Sequence, residues 1–236
     1  MAYQKYITDE FLNIARGTVR GSSVVNIFGY GVSIDSTFIP AWEQSGGYTY
    51  PTSNLVMGFV SADASDTDIT VKIEGLDSDY NQISEVVDMD GTNEVFTTNG
   101  YFRVNNIVTL TGNANGDITV ANTGTTYGFV NAGEGKNQAS LFTVPAGHSF
   151  YLYRINAFAS NTTSGTVAVF RNFVNGGGTN TSFRVGQTVF QNDLEIQRRV
   201  PFKYTEKSDI QLQLRKLGGV NIIGGVFGEG ILVDER

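Results

Sequence analysis

The stretch DITVKIE, residues 68–74, alternates polar and apolar side chains at every position. An alternation of period two is typical of a β-strand with one buried face, and it places Ile69, Val71 and Ile73 on that face. The next residues, 75–81 (GLDSDYN), are rich in turn formers, and residues 82–89 read as the returning strand. The sequence therefore predicts an antiparallel β-hairpin here.

The same pattern recurs along most of the chain. Asn99-Gly100 and Asn115-Gly116 are dipeptides typical of hairpin turns, and Gly218-Gly219 and residues 175–178 predict two further hairpin tips. Strands at this spacing favour a sandwich or barrel, so we predict an all-β protein with two β-sandwich or jelly-roll-like domains. The predicted strands are residues 54–60, 68–74, 82–89, 94–97, 101–110, 117–121, 140–144, 149–159, 165–172, 182–190, 200–203, 209–217 and 226–233.

The polar, glycine-containing residues 133–139 predict a linker between a first β domain (residues 51–132) and a second β-sandwich domain (residues 140–236). Residues 1–50 lack a regular pattern and are predicted to be an extended N-terminal arm. Such an arm either wraps its own domain or reaches onto a neighbouring subunit. Its aromatic side chains are the predicted interface residues: Tyr3, Tyr6, Phe11, Phe28, Phe38, Trp42, Tyr48 and Tyr50.

Composition argues against several classes of function. The chain has no cysteine, which excludes a disulfide framework, and its formal net charge of -7 without a basic patch argues against nucleic-acid binding. The chain contains no run of 18 apolar residues, so no membrane span is predicted, and the amino terminus has no secretory signal pattern. Only 17% of the residues are charged, so neutral polar surface is available for burial against a partner.

Few residues suggest chemistry. Asp63, Asp66 and Asp68 cluster, and residues 77–81 (DSDYN) resemble the opening of a calcium loop, although the glycine and glutamate that such a loop needs are missing. Asp77 and Asp79 are therefore either turn residues or calcium ligands, and the turn is favoured.

The single histidine, His148, could serve as a base with Ser149 or Asp209, but its position after Pro145-Ala146-Gly147 favours a turn. We therefore predict no enzyme activity, no cofactor and no metal. Residues 205–210 (TEKSDI) are either a solvated connection or an interface latch.

Several short motifs together give a resemblance. They are Ala15-Arg16-Gly17, Phe28-Gly29, Trp42 and Tyr48-Thr49-Tyr50-Pro51 in the arm, Ile73-Glu74-Gly75-Leu76-Asp77 in the first domain, and Val144-Pro145-Ala146-Gly147 and Glu206-Lys207-Ser208-Asp209-Ile210 in the second. In this combination the chain resembles small virion structural proteins of tailed bacteriophages, especially short-tailed phages of marine bacteria. The resemblance implies a β-sandwich or jelly roll and a capsid-decoration (cement) or tail-associated role.

Two functions follow as expectations. The first is a non-enzymatic virion protein, made in the host cytoplasm, that decorates or stabilises the phage capsid, forms a homo-oligomer and binds the major capsid protein or other virion proteins. In that case removal of residues 1–50 should abolish particle binding and leave a folded β-protein. The alternative is a tail- or fibre-associated adhesin that binds a host glycan, with Tyr101, Tyr127 and Tyr151 as its aromatic platform.

Overall fold

A computed structural model describes residues 10–44, 46–160, 167–176 and 181–236. Strands dominate it, and the prediction of an all-β protein is confirmed. The elements are α1 (Glu10–Ala15), β1 (Ser22–Ile34), β2 (Ile39–Pro40), β3 (Leu55–Ser61), β4 (Thr70–Leu76), β5 (Gln82–Asp88), β6 (Val95–Tyr101), β7 (Arg103–Thr109), β8 (Ile118–Asn122), β9 (Thr125–Val130), β10 (Leu141–Thr143), β11 (His148–Ser160), β12 (Val167–Gly176), β13 (Thr181–Gln191), β14 (Asp193–Tyr204), β15 (Asp209–Lys216) and β16 (Ile222–Asp234).

Nine strands form a jelly roll. They hydrogen-bond in the order β1-β16-β11-β14-β13-β12-β15-β10, and β2 pairs with β15. Strands β13 and β14 share a single register pair, Gln191 with Asp193, so the sheet folds there into two four-stranded layers. From β10 onward the chain crosses repeatedly between the layers β1-β16-β11-β14 and β13-β12-β15-β10, which is the double Greek key of a jelly roll.

The jelly-roll core lies between these two layers. Leu152 and Val226 point inward from one layer and Phe170 and Leu212 from the other, and all four are essentially inaccessible to solvent. A Cβ at Gly228 of β16 would lie 2.8 Å from Leu212 Cδ1, so glycine at this position lets the layers approach closely.

Strands β3 to β9 form a second sandwich that is inserted between β2 and β10. Its two sheets have the orders β6-β3-β8-β9 and β5-β4-β7. A separate hydrophobic cluster lies between them, and it includes Phe59, Ile73, Ile107 and Ile118. The alternating stretch of residues 68–74 contributes most of β4, the central strand of its sheet, and Ile69, Val71 and Ile73 are buried as predicted.

The two Asn-Gly turn predictions are wrong. Asn99 and Gly100 lie within β6, because the Glu85 carboxylate accepts hydrogen bonds from the N–H groups of Thr98 and Asn99. Asn115-Gly116 lies between β7 and β8, which belong to different sheets and so form no hairpin. An Asn-Gly dipeptide indicates a turn only through its local backbone preference. Here the carboxylates of Glu85 and Asp66 bind the backbone N–H groups at the two dipeptides and stabilise other conformations.

The hairpin predicted at Gly218-Gly219 is also wrong. Both glycines have positive φ, but β15 and β16 lie in opposite layers, so the turn is a corner between layers. The tip predicted at residues 175–178 falls in part on residues 177–180, which lie outside the described residues, and the flanking strands β12 and β13 pair antiparallel. Strand β9 was not predicted.

Part of the predicted arm is regular structure. Strand β1 pairs with β16 from Ser22 to Ile34. Between the buried residues Ile27 and Ile34 its inward positions are occupied by Gly29 and Gly31, so an apolar period of two is not visible in the sequence. A Cβ at Gly29 would lie 2.0 Å from the carbonyl oxygen of Ala41. Residues 22–42 therefore lie along the chain's own β-sandwich.

Candidate functional site: an aromatic sheet face

Three of the predicted interface residues lie at the junction between the two sandwiches. Trp42 is buried, its ring packs edge-on against Tyr48 at 5.3 Å, and Tyr48 packs in the same way on Tyr50 at 5.1 Å. The Arg103 guanidinium lies 4.7 Å from the centre of the Tyr50 ring. Burial raises the pKa of the Tyr48 and Tyr50 hydroxyls, so both stay protonated. These aromatic side chains therefore make their contacts within the chain.

Arg103 of β7 and Asp209 of β15 form a buried ion pair that joins the sandwiches. Arg103 Nε and Nη2 donate to the two Asp209 oxygens at 2.7 and 2.9 Å, and Thr143 Oγ1 donates to Asp209 at 2.6 Å. Burial alone would lower the pKa of Arg103, but the hydrogen bonds and charge of Asp209 raise it. The segment that includes Asp209 thus makes an intramolecular contact.

Phe38, another predicted interface residue, covers the outer side of the β12–β15 layer. The guanidinium of Arg171 lies 4.0 Å from the centre of its ring and that of Arg215 lies 4.9 Å away. Phe11 of α1 packs on Tyr153 at 5.3 Å but remains 55% exposed. Tyr3 and Tyr6 lie outside the described residues.

The last predicted residue, Phe28, belongs to an exposed aromatic cluster on the outer side of the β1-β16-β11-β14 layer. Phe28 of β1 pairs in register with Phe227 of β16, and their rings lie 6.5 Å apart. In the next row, Tyr30 of β1 and Phe158 of β11 approach to 6.2 Å. Phe28 is 37% and Phe158 41% exposed. We call these four side chains the aromatic face.

Gly225 allows the two rings of the second row to meet. It lies on β16, opposite both Tyr30 and Phe158. A Cβ at Gly225 would lie 2.5 Å from the Phe158 ring, so a larger residue there would displace the ring. The glycine therefore shapes the aromatic face without contributing a side chain.

Sequence analysis missed Tyr30, Phe158 and Phe227. For Phe158 a signal is present in the sequence, because residues 149–159 are predicted as an alternating strand and an aromatic residue in the outward phase of such a strand is exposed. The register that brings the three strands together could not be read from the sequence.

A pocket of about 290 Å³ opens on this face next to Phe227. Its apolar side consists of the rings of Phe28, Phe158 and Phe227, and its acidic side consists of Asp193 and Glu195 of β14. Asn156 of β11 lies between the two sides. Arg154 bridges Glu195 at 3.2 Å and Glu229 at 3.6 Å beside it.

A second and larger cleft, of about 530 Å³, lies between β1 and the inserted sandwich. Its lining is mixed, with Ile83 and Phe142 beside Asn105, Asn106 and Lys136. Asn105 pairs with the Thr143 backbone in both directions, donating to its carbonyl oxygen and accepting from its N–H. Asn105, which lines the cleft, is therefore hydrogen-bonded to Thr143 of β10.

The carboxylate clusters of the sequence have structural partners. Burial alone would raise the pKa of Asp66, but hydrogen bonds from Ser61 Oγ and from the N–H groups of Asn115 and Gly116 lower it. Asp77 Oδ1 accepts hydrogen bonds from the N–H groups of Asp79 and Asn81, which is a turn of the Asx type. Within the described ranges, no three His, Asp or Glu side chains are grouped so as to hold a metal ion.

The remaining candidates also have defined positions. His148 is the first residue of β11, its Nδ1 lies 2.9 Å from the carbonyl oxygen of Ala146 in the preceding turn, and Asp209 is bound by Arg103. Tyr101 is fully buried and Tyr127 is 8% exposed, so the predicted glycan platform does not exist as a surface. Tyr151 is partly exposed, and its hydroxyl donates to Glu235 at 3.3 Å. Among the described residues no helix could cross a membrane.

Comparisons with known proteins identify neither a family nor a common fold. No protein-family model and no curated protein matches the chain. Among solved structures, a chain of the infectious bursal disease virus Gt strain aligns with a TM-score of 0.20 and 10% identity, over 90% of this chain and 72% of that one. A chain of the Gx strain aligns with a TM-score of 0.21 and 7% identity, over 90% and 71%. Both scores lie below the level at which a common fold can be claimed.

Proposed function

We propose that this chain is a non-enzymatic virion structural protein that decorates or stabilises a capsid, and that it binds its partner through the aromatic face. The single observation that carries the proposal is that face: Phe28, Tyr30, Phe158 and Phe227 lie together on one sheet surface, and each of them is at least partly exposed. A contiguous exposed apolar patch on a soluble protein usually marks an interaction site.

The fold agrees with this proposal. Jelly rolls are the common architecture of viral capsid domains, although they also occur in lectins and enzymes, so the fold alone does not establish the function. The resemblance to virion proteins of tailed bacteriophages is the basis for a more specific proposal about the partner, the location and the bound form. We propose the major capsid protein or another virion protein as the partner, the mature virion as the location, and a homo-oligomer as the bound form.

A glycan-binding adhesin is the second candidate. The pocket beside Phe227 favours it, because aromatic rings next to carboxylate and amide groups are also suited to a sugar. In this case the platform would be formed by Phe158 and Phe227 and not by Tyr101 and Tyr127.

Binding to particles tests the main proposal. Purified particles that lack this chain are mixed with the wild-type protein or with the double variant Phe28→Ser, Phe158→Ser, and the bound fraction is measured by co-sedimentation. Exposed aromatic residues at the centre of an interface contribute about 1–2 kcal/mol each. We therefore expect the double variant to bind at least about tenfold more weakly.

Phe96→Ser is the matched control, since Phe96 is an exposed phenylalanine of the inserted sandwich, away from the aromatic face. It should bind like the wild-type protein. Equal binding by the double variant, or an intact particle that contains no copies of this chain by cryo-electron microscopy, would refute the proposal.

A further inference from the structure

We propose that the pocket beside Phe227 binds the side chain of an arginine presented by the partner protein. The shape of the pocket is the first argument. Asn156 lies opposite Phe227 of β16 on one side and opposite Glu195 of β14 on the other. Because neighbouring strands are about 4.8 Å apart, the backbones that carry Phe227 and Glu195 are separated by roughly 10 Å, whereas Phe158 and Asp193 are adjacent in the next row. A planar guanidinium fits between Phe227 and Glu195.

The polar groups of the pocket are the second argument. The Asp193 carboxylate forms no hydrogen bond or ion pair with any described residue, and Asp193 lies opposite Phe158 of the neighbouring strand. Asn156 Oδ1 is buried and has no partner among the described residues. Glu195 forms an ion pair with Arg154. These groups accept hydrogen bonds, and a guanidinium is a fork of five donors with no acceptor.

Charge is the third argument. The pocket and its immediate surroundings hold the carboxylates of Asp193, Glu195 and Glu229 and the single guanidinium of Arg154. The site therefore carries an excess of negative charge and attracts a cation. The aromatic rings add to this attraction, because a cation over the face of a phenylalanine ring is stabilised by the ring electrons.

The chain already uses this chemistry elsewhere. Arg198 lies 3.6 Å from the centre of the Phe202 ring, and Arg171 stacks on Phe38 while its Nε donates to Gln213. In the second case a guanidinium is held between an aromatic ring and a polar acceptor. The pocket beside Phe227 presents the same two elements, a ring and acceptors, without an occupant from the described residues.

This inference deepens the proposed function, on which it rests for the nature of the partner. It predicts that the virion surface recognised by this chain presents an arginine at the centre of the contact. The binding step itself can be measured without particles, so a failure of the pocket and a failure of particle binding are distinguishable.

The test uses the full chain, labelled with nitrogen-15 and carbon-13, and N-acetyl-arginine amide as the probe. Titration followed by NMR should give saturable shifts at the Asn156 amide and at the ring resonances of Phe158 and Phe227. The citrulline analogue has nearly the same shape without the charge, and we expect it to bind at least about tenfold more weakly.

Two variants locate the site. Asp193→Asn and Phe227→Leu should each weaken arginine binding about five- to tenfold, whereas Asp68→Asn, which removes an exposed carboxylate of the inserted sandwich, should leave it unchanged. The inference is overturned if no saturable shift occurs, if citrulline binds equally well, or if Asp193→Asn binds like the wild type. Shifts of the same residues with a neutral sugar and not with arginine would also overturn it and would favour the adhesin.

Discussion

At the scale of single residues, the ion pair of Arg103 and Asp209 has the largest consequences. The two residues are 106 positions apart and belong to different sandwiches, and both side chains are almost fully buried. Arg103 Nη1 also donates to the carbonyl oxygens of Pro51 and Phe102. The Arg103 guanidinium thus binds Pro51, where the chain enters the inserted sandwich, Phe102 next to β7, and Asp209 of β15.

We expect Asp209→Asn to destabilise the protein by about 3–5 kcal/mol, because it leaves the buried guanidinium of Arg103 without its counter-charge. The measurement is the free energy of unfolding in urea. The double variant Arg103→Met, Asp209→Asn should lose clearly less stability than the sum of the two single variants, since it removes both charges.

Glu235→Gln is the control for this cycle. Glu235 pairs with Lys203 at 3.3 Å, but both side chains are about half exposed, so the loss of this pair should change stability little. Additive effects of the Arg103 and Asp209 substitutions would mean that the buried pair is not energetically coupled.

At the scale of elements, β1 shows how a strand can be hidden from sequence analysis. It pairs with β16 along its length, and Ile27 and Ile34 point into the jelly-roll core, but glycines occupy the inward positions between them. Removal of residues 1–50 would take two strands out of the sandwich. That truncation therefore cannot separate partner binding from folding, contrary to the expectation from the sequence.

Gly29 gives the test at this scale. We expect Gly29→Ala to destabilise the protein by about 2 kcal/mol or more, because its Cβ would meet the Ala41 carbonyl oxygen at 2.0 Å and the Ser140 nitrogen at 2.4 Å, both backbone atoms that cannot rotate away. Thermal unfolding followed by circular dichroism measures the effect.

Gly186→Ala is the matched control, since Gly186 lies in β13 with no atom within 4 Å of its Cβ position and without a positive φ. Alanine there should be neutral or slightly stabilising. If both variants melt at the same temperature, the close approach of β1 to residues 41 and 140 does not contribute to stability.

At the scale of the whole molecule, one sandwich is inserted into the other. The hydrophobic clusters of the jelly roll and of the insert share no residue. The described contacts between the two units include the ion pair of Arg103 with Asp209 and the hydrogen bonds of Asn105 with Thr143 and of Asn131 with Glu43. We propose that residues 51–132 fold as an independent domain, as the sequence suggested.

The isolated fragment of residues 51–132 should give a β-sheet circular dichroism spectrum and unfold cooperatively in urea. Replacement of Arg103 by Met should cost the fragment little stability, because the fragment lacks Asp209, the partner that the buried guanidinium binds in the full chain. A spectrum of an unfolded chain under native conditions would show that the insert depends on the jelly roll.

The sequence by itself determined the all-β class, most of the strands and the core face of β4. These follow from local pattern, since a period of two in apolar side chains needs only the chemistry of neighbouring residues. It also named Phe28 as an interface residue, and that remains a prediction. It failed for the Asn-Gly dipeptides, where Glu85 and Asp66 reach across from distant positions to bind the backbone.

Only the tertiary structure decided which strands are neighbours, and so which outward side chains meet. Phe28, Phe158 and Phe227 are separated by 69 to 199 positions in the chain and come together because β1, β16 and β11 are adjacent in one layer. Trp42, Tyr48 and Tyr50 looked equally available in the sequence, but they pack against one another, and Tyr50 lies under the Arg103 guanidinium. Strand order is fixed by the packing of two layers around one core, and that packing depends on contacts between residues far apart in the chain.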